Sequence, residues 1–147
     1  MKQIMYSKIE DVDDIEVLRG KPSFNYVLDD ETIKLLKKNF FLEKSLYILA
    51  KEGNTFVAFC SIDNDWREDG YFFIREIVVD QNFQKQHVGH TIMNMCIEHA
   101  KKEGTKGIVT ETDFKNIPMQ KLCEKFGFKS WDNPEWKQGI TYKLECN

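Results

Sequence analysis

The alternation of apolar and polar positions divides this chain of 147 residues into short, well-punctuated elements. Residues 3–8 read as a first strand. Asp11 is placed to cap a short helix with Val12, Ile15 and Leu18 on one face, which Gly20-Lys21-Pro22-Ser23 breaks. Asp29 or Asp30 caps a second helix in which Ile33, Leu36 and Phe40 share a face. Leu46–Ala50 and Thr55–Ile62 flank Lys51-Glu52-Gly53-Asn54, a hairpin signal. After the polar turn Asp63–Gly70 comes a long strand, Tyr71–Val79. Ile92, Met93, Cys96, Ile97 and Ala100 then repeat at helical spacing, predicting a helix from Val88 to about Glu103 with Gly104 as its stop. Gly107–Thr112 is a short strand, Asn116 caps a helix that ends at Gly127, and Phe128–Trp131 with Ile140–Cys146 close the chain as strands.

The resulting order is β-α-α-β-β-β-α-β-α-β-β. A hairpin meander followed by two strand–helix units argues for an α/β (α+β) mixed sheet with helices on its faces. The length fits a single domain, 1–147, large enough to bury about 68–70% of its unfolded surface. There is no internal repeat, low-complexity tract or Pro/Gly-rich linker.

Composition narrows the function. A formal net charge of −3 disfavours a general nucleic-acid binder. No apolar run approaches the roughly 20 residues of a membrane span, and the polar start MKQIMYSKIEDVDD is no secretory signal. Cys60, Cys96, Cys123 and Cys146 lack CxxC spacing, which suits free thiols in a reducing cytoplasm. His87 and His90 stand three apart, but His99 is the one other histidine and no cysteine or carboxylate lies nearby at ligand spacing, so no metal site is expected.

The chemistry concentrates in residues 79–92, VDQNFQKQHVGHTI. A strand runs into a polar loop and then a helix start. The first turn of a helix has amide N–H groups without intrahelical partners, and its dipole adds about half a positive charge. That is an anion site made of backbone, and Gly89, lacking Cβ, lets a ligand come close.

This segment resembles the Gln/Arg-x-x-Gly-x-Gly/Ala signature of the GNAT (GCN5-related) N-acetyltransferases, with Gln84 first, Gly89 last and His87 in place of the first glycine. Residues 116–128, NIPMQKLCEKFGF, are similar to the family's Asn-x-x-Ala-x-x-Leu-Tyr-x-x-x-Gly-Phe segment, in the same order and separation. The resemblance covers about residues 70–130; the rest matches in element order. It implies the GNAT fold, a mixed, mostly antiparallel central sheet, and acetyl-CoA (coenzyme A) as co-substrate without a metal.

By that resemblance the backbone of Gln84, Lys85, Gln86, His87, Val88, Gly89 and His90 holds the pyrophosphate. Ile77, Val78 and Val79 pair with the pantetheine arm, and Asn116, which also suits a plain helix cap, touches it. The cost of His87 depends on its backbone: large at φ > 0 or against the ligand, small if helical. An imidazolium there would favour phosphate.

An alkyl ammonium with pKa near 10.4 offers about one neutral amine in two to three thousand at pH 7, a handicap of about 4.6 kcal/mol, so a base matters. Glu76 lies where some family members carry an acidic residue; an ion pair with a neighbouring cation is the other reading. Glu111 and Asp113 are further candidates. Cys123 falls where many members place a tyrosine that protonates or steers the leaving thiolate. It is therefore a candidate acid or acyl carrier, or else a small buried hydrophobe.

The expected reaction is direct attack of a primary amine on acetyl-CoA, with a small-molecule amine as acceptor and no nucleic acid or membrane partner, in a monomer or homodimer. A protein or peptide amine, and a non-catalytic acyl-CoA-binding module, are the alternatives. Phe24, Tyr26, Asp29 and Asp30 could line a cationic acceptor pocket, or serve as core contact and cap, and Trp66, Trp131 and Trp136 could form a rim.

Overall fold

A computed structural model describes residues 3–21 and 27–146. Phe24 and Tyr26 lie outside the described residues. Strands β1 (Ile4–Lys8), β2 (Leu46–Glu52), β3 (Thr55–Asp63), β4 (Tyr71–Val79), β5 (Gly107–Asp113), β6 (Lys129–Trp131) and β7 (Gly139–Glu145) form a seven-stranded sheet in the order β1-β2-β3-β4-β5-β7-β6. The α-helices are α1 (Asp30–Asn39), α2 (Val88–Lys102) and α3 (Ile117–Lys125). β4 and β5 are parallel and every other pair is antiparallel. Parallel neighbours need a long crossover, and α2 supplies it. The mixed, mostly antiparallel architecture and the element order agree with the expectation.

The boundaries follow local chemistry. Asp29 caps α1 by accepting a 2.8 Å bond from the Thr32 N–H, and Asp30 is the first helical residue. Asn116 caps α3 through the Met119 N–H at 3.3 Å. The helix expected after Asp11 is a 3-10 helix, Val12–Leu18, capped as expected by Asp11. Asp63 belongs to β3, not to the turn after it.

The sheet carries apolar clusters on both faces. On one, Ile92, Met93, Cys96 and Ala100 of α2 and Met119 and Cys123 of α3 pack against Ile62, Phe72, Ile74 and Ile108. On the other, Ile15, Leu18, Ile33 and Leu36 cover Tyr47, Phe59 and Val78. Each large side chain fully buried here contributes about 1.5–3 kcal/mol. Farther along that second face, Tyr71, Phe73 and Val109 are covered by Trp66 from the β3–β4 loop.

Among the described residues no helix is long and apolar enough to cross a membrane. The four cysteines are unpaired thiols, although Cys60 and Cys96 meet across the core at 3.6 Å between sulfurs.

Candidate active site

The site begins where the sheet splits. β4 pairs with β5 only from Tyr71↔Gly107 to Ile74↔Thr110. Beyond that, residues 76–79 of β4 pair with β3 alone, while Glu111–Asp113 of β5 pair with β7. The register slips between Ser61 and Ile62 of β3, so Arg75 is an extra, bulged residue at the parting point. The edge of Ile77, Val78 and Val79 therefore faces a slot rather than a strand. An extended ligand with amide groups can add to such an edge as a strand would.

The slot leads to the start of α2. A 3-10 turn, Gln81–Phe83, capped by Asp80, delivers the chain to Gln84, Lys85, Gln86 and His87, all exposed. Gln84 bends back, its amide donating to the Val79 carbonyl at 3.4 Å. Val88 is buried and anchors the first turn of α2, which leaves the N–H groups of that turn at the surface end.

The backbone settles the question His87 raised. It is the N-cap of α2 with φ 62° and ψ 19°, and its side chain makes no cap bond. Lys85 is also left-handed, at φ 68°. A non-glycine residue pays about 1–2 kcal/mol for that conformation. His87→Gly is expected to stabilise the fold by about 1 kcal/mol after the glycine entropy cost, raising Tm by roughly 2–4 °C in thermal unfolding. An unchanged or lower Tm would show that residue 87 is not held left-handed.

Gly89 does a different job from close ligand approach alone. A Cβ built on it would lie 3.3 Å from Cδ2 of Leu122, so the bare side of Gly89 faces α3 and lets the two helices pack. The ring of His90, next along, lies against Phe126, the C-cap of that helix, 4.7 Å between centroids.

Two carboxylates flank the mouth of the slot. Glu76 of β4 is half-buried, opposite Ser61, whose hydroxyl accepts the Glu76 N–H at 3.2 Å. Strand alternation puts its side chain on the face of Val78, which α1 helps to cover. Glu111 is the first residue of β5 past the split. Burial raises its carboxyl pKa, against the pull of Arg75. Asp113 is exposed and is used by the turn, accepting the Lys115 N–H at 2.7 Å. Arg75 is committed elsewhere: Nε and Nη2 grip the fully buried Asp63 at 3.0 Å each, and Nη2 donates to the Asp65 carbonyl at 2.8 Å.

Comparison with known proteins now fixes the family. The acetyltransferase (GNAT) family model matches residues 12–128. The chain belongs to the GNAT acetyltransferase family. No curated protein sequence matches it significantly. Among solved structures it is similar to a GNAT acetyltransferase from Staphylococcus aureus Mu50 (14% identity, 99% of this chain and 100% of that chain, TM-score 0.78). It is also similar to the ribosomal-protein-S18-alanine N-acetyltransferase of Escherichia coli (17%, 98% and 94%, TM-score 0.77). The structure of yncA from Salmonella typhimurium with its cofactor acetyl-CoA matches at 15% identity over 98% and 94%, TM-score 0.72. At these identities the likeness is one of fold.

Within this GNAT chain, the residue aligned with the family tyrosine is deep in the core. Cys123 is fully buried between α3 and the sheet, and burial pushes its thiol up to about 12. A thiol held there is protonated at neutral pH and is a poor nucleophile; its surroundings are those of a packing residue.

Of the two readings of Asp29 and Asp30, the structure favours the helix cap. Asp29 is committed to its cap, and Asp30 is paired with Arg19 and Lys34 at 3.0 Å each, so neither stands ready for a cation. Trp66 and Trp131 instead meet edge to face, 5.7 Å between centroids, beside Tyr71, and the ammonium of Lys143 fills the space between the three rings. Lys143 also pairs with Glu68 at 2.8 Å. This box is closed by the chain itself and ties the β3–β4 loop to the sheet.

His87 and His90 stay near each other, 6.2 Å between ring centroids, whereas His99 is bonded to the Lys44 carbonyl at 2.6 Å. Among the described residues no group of three or more His, Cys, Asp or Glu side chains could hold a metal. Sequence reasoning missed Arg75, Asp63, Arg67 and Asn133. Their partners are distant in sequence, and no spacing signal marks them.

Proposed function

We propose that this GNAT chain transfers the acetyl group of acetyl-CoA to a primary amine of a small molecule by direct attack. The observation that carries the reading is the slot beside residues 75–79, continuous with the open first turn of α2. An extended amide arm suits the first and a pyrophosphate the second. Lys85, Gln86 and His87 flank the phosphates, and Asn116 completes the cofactor side while capping α3.

The acceptor arrives as an ammonium ion. Two carboxylates at the mouth attract it and suit a cation better than an anion. Glu76 takes one proton, the free amine attacks the thioester carbon, the C–N bond forms, and the C–S bond breaks. A thiolate leaves, and the second amine proton is lost to water or to the thiolate. General base help of this kind is worth about 10²–10⁴-fold. Glu111 holds the ammonium in place. Cys123 packs the core and carries neither proton nor acyl group.

Two measurements test this. Coenzyme A should raise Tm, and Lys85→Glu should weaken its binding about tenfold, roughly 1.4 kcal/mol, with the unliganded Tm unchanged. Wild-type affinity in that exposed-loop variant would move the cofactor elsewhere. Thiol release from acetyl-CoA should then be followed over a panel of alkyl amines, diamines, aminoglycosides and peptide N-termini. Release with the small amines supports the proposal. Release with peptides alone gives a protein acetyltransferase, and stabilisation without release on any amine gives a binding module.

A further inference from the structure

Asn133, in the β6–β7 loop, is 4% exposed, and every polar atom of its side chain is occupied. Its Oδ1 accepts from Nη1 of Arg67 at 3.3 Å and from the Glu135 N–H at 3.0 Å. Its Nδ2 donates to Oε2 of Glu111 at 3.3 Å and to the Thr141 hydroxyl at 3.2 Å. The amide can sit only one way round. A guanidinium and a peptide N–H have nothing to accept with, so the carbonyl must face them and the NH2 must face Glu111.

The far end of this chain of contacts is fixed as well. Arg67 lies over the Trp131 ring, 5.6 Å to its centroid, and pairs with Glu135 at 3.5 Å. Its loop is pinned by Lys143 in the Trp66–Tyr71–Trp131 box. Glu111 is thus gripped at one oxygen by a rigid donor, at the point where β5 leaves β4. The charged groups of the surrounding elements are Arg75 and Glu76 on β4, Arg67 on the β3–β4 loop, Lys143 on β7, which pairs with Glu68, and Glu135 beside Asn133. Arg75 is taken by Asp63.

We propose that Asn133 is the positioning residue for acceptor binding: by holding Oε2 it fixes the Glu111 carboxylate and leaves Oε1 to receive the ammonium of the incoming amine. This rests on the acetyl-transfer reading and adds to it. A carboxylate fixed in advance loses less entropy when the cation docks than one free to rotate. An NH2 donor also works against the burial that raises the Glu111 pKa, since a hydrogen bond to the charged form favours that form.

The test uses acetyl-CoA and the panel amine that releases thiol fastest. Glu111→Gln should raise the amine KM about tenfold with kcat changed less than threefold. Asn133→Asp keeps the shape of the side chain but sets a second carboxylate against Glu111. It should raise the amine KM three- to tenfold at pH 7 and move the acid limb of kcat/KM upward by about one pH unit, with coenzyme A affinity unchanged. Arg67→Ala, a surface change that frees the Asn133 amide, should act in the same direction by two- to threefold and serves if Asn133→Asp does not fold. A purely structural role would lower Tm without moving the acid limb. If Glu111→Gln raises the amine KM while Asn133→Asp and Arg67→Ala leave both KM and acid limb at wild type, Asn133 does not position Glu111. A wild-type amine KM in Glu111→Gln removes the role of Glu111 and the inference with it. Absence of thiol release on every amine instead overturns the acetyl-transfer reading.

Discussion

Glu76→Gln is expected to lower kcat at pH 7 by about 10²-fold or more, the usual contribution of a positioned general base. Glutamine keeps the size of the side chain and the Glu76 N–H bond to Ser61, so the strand should hold its register. What is lost is the capacity to take a proton. Because the proposed alkyl-amine acceptor is protonated at neutral pH, the deficit should shrink as pH approaches about 10, where free amine is abundant. The diagnostic result is a pH–rate profile in which variant and wild type converge at the alkaline end. A Glu76→Gln enzyme with the wild-type rate and profile sinks the assignment and leaves Glu111 as the remaining carboxylate at the mouth.

The second large effect is on stability. Asp63→Ala removes the carboxylate that grips Arg75 at two points and accepts from Asn39 at 3.4 Å. The Asp63 side chain is 0% exposed and that of Arg75 only 15%, so the guanidinium would be left partly buried without its main counter-charge. Breaking a buried pair from one side costs about 3–5 kcal/mol, roughly 6–20 °C in Tm for a chain of this size. Asp63→Leu combined with Arg75→Met should recover much of that loss, since an apolar pair of similar volume is often neutral. On the proposed role of Glu76, the position matters for function too. Arg75 is the bulged residue next to Glu76, so the single variant should also lose activity beyond its loss of folded protein. A Tm within a degree of wild type in Asp63→Ala would mean the pair contributes nothing net.

Much of the frame was legible along the chain. The strand Tyr71–Val79 and the helix start at Val88 fall where the pattern put them, because burial alternates along a strand and repeats with a helical period. The caps at Asp11, Asp29 and Asn116 were legible for the same local reason: a short polar side chain satisfies amides only a few residues ahead. His87 marks the limit of that approach. Its departure from glycine was visible, but its cost depended on a backbone angle, φ 62°, that residue type and spacing do not specify.

The sequence by itself determined the order of elements, the family resemblance and the stretch, Gln84 to His90, proposed to meet the cofactor, since each depends on residues close together in the chain. Tertiary structure alone decided where β4 leaves β5, that Gly89 is bare toward Leu122, that Cys123 is sealed in the core and that Asn133 grips Glu111 from 22 residues away. These depend on strand register and on helices meeting across the sheet. Contacts of that kind are set by which surfaces pack together, and spacing along the chain carries no record of them.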